Sequence, residues 1–87
     1  MRIWIKLFKD NRLLKDTMYV DNGADTRTHK VFAAVEKCCA EFDIQKPIWL
    51  DVNIRDFKKY ARCRFSQDSF IEEADFDYMD FHLIEED

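Results

Sequence analysis

The sequence predicts a single small α+β domain. Its 87 residues are enough for one hydrophobic core, and a hydrophobic content of 47% that includes thirteen aromatic side chains can fill it. Segments near both ends of the chain alternate between apolar and polar residues, as β-strands do. Between them lies one long stretch with apolar residues three and four positions apart, as in an amphipathic helix. Together these patterns indicate a sheet packed on a helix.

The first twenty residues predict a β-hairpin. Apolar and polar residues alternate from Arg2 to Lys9, and a second extended segment runs from Arg12 to Val20. The intervening Asp10-Asn11 pair has the turn chemistry that a hairpin needs. Trp4 and Phe8 fall on the polar side of the first strand, where they are candidate apolar anchors for a partner.

The middle of the chain predicts one amphipathic helix, from about Thr26 to Asp43. Asp25, Thr26 and Thr28 offer side-chain oxygens that can cap its first turn. Its apolar stripe is wide enough to cover one face of a small sheet, and it comprises Val31, Phe32, Val35, Cys38, Cys39 and Phe42.

The second half of the chain predicts two more strands around a short helix, followed by a terminal strand. Pro47 prevents the first helix from continuing and opens a short apolar strand at 48–50. A helical segment capped by Asn53 runs from Ile54 to Tyr60, and a short strand follows it. From Phe76 to Glu85 the residues alternate again, with Met79, Phe81 and Leu83 on one side and Tyr78, Asp80 and His82 on the other.

The resulting order is β-β-α-β-short helix-β-β, with a mixed sheet of four to five strands on one helix. In element order and length this plan resembles the β-grasp (ubiquitin-like) fold, and a split-β α+β sandwich is the alternative. The segments KLFKDN, DTRTHKVF, KPIWLD and IEED also resemble those of a group of short, uncharacterised bacterial proteins. That resemblance covers most of the chain and implies no known activity.

The charges of the chain are divided between its two parts. Residues 68–87 contain nine acidic residues and no Lys or Arg, whereas residues 1–67 contain fourteen basic and nine acidic residues, giving formal charges of −9 and +5. Apolar residues are interleaved with the carboxylates, which predicts an ordered strand rather than a disordered tail. The carboxylates act either as gatekeepers that keep a sticky strand soluble or as a docking surface.

The preferred prediction is a non-enzymatic protein-interaction module whose acidic C-terminal strand docks a basic protein surface. Such an inhibitor or adaptor could act on a nucleic-acid-binding partner, and in size and charge it resembles anti-CRISPR proteins. The predicted contact residues are Glu72, Glu73, Asp75, Asp77, Tyr78, Asp80 and His82.

Two alternatives use other surfaces. Cations within residues 55–65 are interleaved with aromatic residues, a combination that single-stranded nucleic acid binders use, and they comprise Arg55, Lys58, Lys59, Arg62 and Arg64. A net charge of −4 argues against this reading. A structural homodimer joined by paired edge strands is the other alternative.

Catalysis and cofactor binding find little support in the sequence, which predicts no enzyme, no cofactor and no metal site. One glycine leaves neither a P-loop nor a dinucleotide fingerprint. The three cysteines form no metal-binding or redox spacing and suit a reducing cytoplasm. Asp51 and Asp56 beside Trp49 are the one constellation worth inspecting for acid–base chemistry, although capping and turn roles are expected for both. The N-terminus resembles neither a signal peptide nor a membrane span.

Overall fold

The computed structural model describes residues 1–86, and it confirms the α+β class. Four strands and two α-helices form one compact unit: β1 (Arg2–Lys9), β2 (Arg12–Val20), α1 (Arg27–Phe42), α2 (Asp51–Tyr60), β3 (Arg62–Ser66) and β4 (Tyr78–Glu85), with a 3₁₀ turn at Gln67–Ser69. The sheet has the order β2-β1-β4-β3, and each neighbouring pair is antiparallel.

The predicted hairpin is confirmed, and its turn has a backbone conformation that suits Asp10 and Asn11. Lys9 pairs with Arg12, so only two residues connect the strands. Both adopt left-handed backbone angles, with φ of 51° and 61°, as a type I′ turn requires. The carboxylate of Asp77 accepts a hydrogen bond from the backbone N–H of Asp10 at 2.9 Å, which ties the turn to the segment before β4.

The predicted amphipathic helix is confirmed to within one residue at each end. The hydroxyl of Thr26 accepts a hydrogen bond from the backbone N–H of His29 at 3.2 Å and caps the first turn of α1. Asp43 ends the helix in a left-handed conformation with φ of 57°. Of the predicted stripe only Phe32 is exposed, and it is 52% accessible.

Both helices cover the same face of the sheet. The strands direct Ile3, Ile5 and Phe81 into a core that also holds Val35 of α1 and Phe57 of α2. Neither α1 nor α2 lies on the opposite face of the sheet, which is called the open face below. Neither of the two α-helices found in residues 1–86 is long and apolar enough to cross a membrane.

The predicted strand at 48–50 is wrong. The segment is extended but pairs with no strand of residues 1–86, because it runs over the helical side of the core. Trp49 packs edge-on against the rings of Phe57, Phe65 and Phe81 there, with centroid distances of 4.8–5.8 Å. Burial of an aromatic ring rather than a hydrogen-bonded ladder therefore holds this segment in place.

The predicted mixed sheet is also wrong, and with it the β-grasp plan. The backbone N–H of Asp77 donates to the carbonyl of Phe8 at 2.8 Å, so β4 starts at the end of the sheet where β1 finishes. β4 therefore runs back along β1 in the antiparallel sense. The helix predicted from Ile54 begins earlier, at Asp51, because the side chain of Asn53 reaches back to cap the N–H of Leu50 at 3.0 Å.

Candidate functional site: the open face of the sheet

The open face brings together residues from three strands in regular rows. The strand register places Phe8 beside Tyr78, Lys6 beside Asp80, and Trp4 beside His82. On the far side of β4, Arg64 lies opposite Asp80 and Arg62 opposite His82. A sheet face that is open to solvent is ordinarily polar, so an array of three aromatic rings and two arginines is unusual here.

A buried carboxylate organises the centre of the open face. Asp80 is only 1% exposed. Arg62 binds it through two contacts, Nε to Oδ1 at 3.0 Å and Nη2 to Oδ2 at 2.6 Å, and the Nζ of Lys6 lies 3.5 Å from Oδ2. Burial alone would raise the pKa of Asp80, but the hydrogen bonds and charge of Arg62, together with the charge of Lys6, hold that pKa below its ordinary value. Asp80 is therefore ionised and fully engaged within the chain.

The aromatic rings of the open face are held in place by cations and by each other. The rings of Phe8 and Tyr78 are stacked with centroids 5.2 Å apart and an angle of 21°. Arg64 lies 4.5 Å from the centroid of Tyr78, and Lys6 lies 3.9 Å from that of Trp4. All three rings are half-buried, so each keeps part of its surface for contact with a partner.

His82 contributes a neutral polar group to the same face. Its pKa is lowered by burial first and then by the charges of Arg62 and Lys6, against the opposing effect of Asp80. The imidazole is therefore uncharged at neutral pH, where it can donate one hydrogen bond and accept another.

The acidic residues predicted to bind a partner do not form one continuous array. Tyr78, Asp80 and His82 share the open face, but Asp80 is already neutralised there, which corrects the expectation that it projects freely outward. Asp77 is exposed, yet its carboxylate is used to hold the hairpin turn.

Three further carboxylates lie in an irregular segment, residues 70–77, called the acidic loop below. Glu72, Glu73 and Asp75 are exposed, and none of them forms an ion pair within residues 1–86. The amide of Gln45 holds the backbone of Glu72 through two hydrogen bonds of 2.9 and 3.1 Å. The loop precedes Tyr78 in the chain, and its three carboxylates line a pocket together with Asp43, Ile44 and Gln45, just beyond the end of α1.

The predicted basic strip is likewise divided between two surfaces. Arg62 and Arg64 belong to β3 and lie on the open face. Arg55, Lys58 and Lys59 are exposed on α2, on the helical side of the molecule. The division follows from the change from helix to strand at Ala61, which has a left-handed φ of 55°.

The groups considered for catalysis, the three cysteine thiols and the Asp51 and Asp56 carboxylates, lie away from the open face. All three thiols are buried, and burial raises the pKa of Cys38 and Cys63 to about 12 and that of Cys39 to about 11. Asp51 is exposed in the first turn of α2, and Asp56 lies 3.4 Å from Arg55. Within residues 1–86 no three His, Cys, Asp or Glu side chains are grouped in a way that could hold a metal ion.

Lys6 is the residue of this face that the sequence pattern failed to single out. It alternates in phase with Trp4 and Phe8, so its side of the strand was predictable. Its contact with Asp80 depends on the register between β1 and β4, two strands that are more than sixty residues apart in the chain.

Comparisons with protein-family models, with curated proteins and with solved structures find no match. The function of the open face is therefore inferred from its own geometry and chemistry.

Proposed function

We propose that the protein is a non-enzymatic protein-binding module that uses the open face of its sheet as the contact surface. The observation that carries this proposal is the composition of the face, a sheet surface that neither α1 nor α2 covers. It brings together Trp4, Phe8, Tyr78, Arg62 and Arg64. Trp, Tyr and Arg are the residues most enriched among the hot spots of protein interfaces.

The face is also prepared for binding before a partner arrives. Its side chains are already held in place, so they have less rotamer freedom to lose on association. Three contacts hold them: the bidentate pair between Arg62 and Asp80, the stack of Phe8 on Tyr78, and the contact of Arg64 with Tyr78. A smaller entropy cost of ordering leaves more of the contact energy for affinity.

The acidic loop indicates the chemistry of the partner. Glu72, Glu73 and Asp75 are exposed and form no ion pair within residues 1–86, so their charges are available to a partner. Rim charges act chiefly on the association rate and on partner choice. We expect a partner with a basic surface, which is the property of many nucleic-acid-binding proteins, and we expect this module to inhibit or recruit it. Three reduced thiols fit a reducing cytoplasm.

The buried thiols support binding rather than catalysis. A nucleophilic cysteine needs an exposed thiol with a depressed pKa, whereas here the pKa of each thiol is raised.

The proposal is tested by affinity capture with paired variants, read by mass spectrometry. Two baits disturb the proposed surface, R64E on the face and the triple variant E72Q/E73Q/D75N in the loop. Two matched baits carry the same charge changes elsewhere, R55E on α2 and E36Q/D51N/D68N. Proteins that bind the wild type directly should be lost from both surface variants and kept by both controls. If the surface variants retain the same proteins as the wild type, the open face is not the contact surface.

Single-stranded nucleic acid binding is the second candidate, favoured by the position of Arg62 and Arg64 beside Tyr78 and Trp4 on one face. Such binding requires cations for phosphates and aromatic rings for stacking. It predicts that a fluorescent oligonucleotide binds with an affinity that falls steeply with salt and is lost in R64E. Sedimentation of the wild type would show whether the remaining candidate, a structural homodimer joined by paired edge strands, is formed.

A further inference from the structure

A groove on the helical side of the molecule is surrounded by exposed apolar side chains. It lies between α1 and α2 and has a volume of about 210 Å³. Phe32 on α1 and Ile54 on α2 form its walls and are 52% and 39% exposed. Trp49 lies between the helices, with its ring 6.1 Å from that of Phe32 and 5.8 Å from that of Phe57. Apolar side chains that surround a groove are characteristic of a contact surface.

The rim of this groove is cationic. Arg27 and Lys58 line it from opposite helices. The Nε of Arg27 lies 2.7 Å from Oε1 of Glu86, with both side chains about half exposed. Lys58 has no ion-pair partner within residues 1–86. A carboxylate of the chain itself therefore marks one position at the rim where an acidic ligand group can bind.

We propose that the groove between α1 and α2 binds an acidic amphipathic helix of a partner protein, and that Glu86 competes with that helix for Arg27. Small-molecule sites usually enclose about 300–1,000 Å³, so this groove is better matched to one or two apolar anchor side chains. A helix presents such anchors one turn apart on one face, and its flanking glutamates would reach Arg27 and Lys58.

This surface is independent of the open face. The groove belongs to the helical side of the sheet, whereas Trp4 and Tyr78 lie on the opposite side. A chain with two contact surfaces of different chemistry can hold two partners at once, which is the arrangement of an adaptor.

The experiment is a titration of the ¹⁵N-labelled protein with a synthetic helical peptide, followed by NMR. The peptide carries Leu at anchor positions one turn apart and Glu at the remaining positions, and a control peptide carries Lys in place of Glu. The two tryptophans supply internal reporters, because the indole of Trp49 lies in the groove and that of Trp4 lies on the open face. We expect the Glu peptide to shift the Trp49 indole signal, to leave that of Trp4 unchanged, and to bind far more tightly than the Lys peptide.

Variants locate the contact and test the competition. F32S and K58E should each weaken binding about tenfold or more, while K15E on β2 should not. E86Q should tighten binding by about two- to fivefold, since an exposed ion pair contributes at most about 1 kcal/mol. Lys58 is exposed, so K58E reports on binding even if F32S disturbs the fold.

The proposal is overturned if the Trp49 signal does not move at peptide concentrations up to about 1 mM. It is also overturned if the Lys peptide binds equally well, or if F32S and K58E leave the affinity unchanged. A shift of the Trp4 signal alone would assign the peptide to the open face and would likewise refute the groove.

Discussion

Replacing Asp80 by Asn should destabilise the protein strongly although the two side chains have nearly the same size and shape. The carboxylate is 1% exposed, and its removal leaves Arg62 and Lys6 without their anion. Loss of one member of a fully buried ion pair costs about 3–5 kcal/mol. Here the side chain of Arg62 is 43% exposed and can turn to water, while that of Lys6 is only 12% exposed. We therefore expect a loss of about 2–3 kcal/mol.

Urea unfolding at neutral pH, followed by tryptophan fluorescence, measures this loss. A domain of this size is stable by roughly 4–13 kcal/mol, so the change is a large share of the total and should lower the melting temperature by about 10–20 °C. D68N is the control, because Asp68 is exposed and forms no ion pair within residues 1–86. If D80N is as stable as D68N, the ion pair does not organise the open face.

The difference in the free energy of unfolding between the wild type and D80N should depend on pH in one direction. The pKa of Asp80 is lowered in the folded protein, against the effect of burial, by its hydrogen bonds to Arg62 and by the charges of Arg62 and Lys6. A carboxylate with a depressed pKa contributes stability that is fully present above its unfolded pKa of about 4 and is lost as the pH falls through the folded value. The gap between wild type and D80N should therefore begin to narrow below about pH 4. A gap that widens on acidification would contradict the charge-pair explanation.

Three further changes test other parts of the fold. N53A should lower the free energy of unfolding by about 2–4 kcal/mol, because the buried amide of Asn53 donates a hydrogen bond to the carbonyl of Arg64 at 2.8 Å and also caps α2. The control N22A changes an exposed amide and should have little effect, so equal losses in urea unfolding would refute the role of Asn53. T26A should lower the free energy of unfolding by about 1 kcal/mol, because it removes the N-cap of α1, and T26S should keep most of that stability. A T26A variant as stable as the wild type would show that the cap does not contribute. The buried thiols of Cys38, Cys39 and Cys63 should react with Ellman's reagent near pH 8 far more slowly in the native protein than in guanidinium chloride, because burial raises the pKa of each. Fast labelling of the native protein would contradict their burial.

The elements that the sequence predicted correctly are those with strong local signals. The hairpin depends on Asp10-Asn11, and α1 depends on the Thr26 cap and a regular apolar stripe, so both can be read from neighbouring residues. The segment 48–50 has the composition of a strand, but its place was decided by packing of Trp49 against rings from α2, β3 and β4. Tertiary contacts of this kind override a short apolar pattern.

The candidate site was only partly predictable for a similar reason. Alternation correctly placed Trp4 and Phe8 on one side of β1, and Tyr78 and His82 on one side of β4. Nothing in the alternation reveals that Arg62 and Lys6 converge on Asp80, because that contact requires the order β1-β4-β3 and its register. A charged residue in the interior of a strand is expected to face solvent, and only its partners explain why this one is buried.

The division of charge along the chain therefore has two different physical meanings. On the sheet, Asp80 is compensated inside the molecule, so its charge contributes to the shape and stability of the open face rather than to attraction of a partner. In the acidic loop, Glu72, Glu73 and Asp75 are exposed and form no ion pair within residues 1–86. Neutralising the loop should thus weaken partner association and its salt dependence while leaving stability nearly unchanged, whereas neutralising Asp80 should lower stability first. The two sets of variants separate a docking charge from a structural one, although both belong to the same acidic end of the sequence.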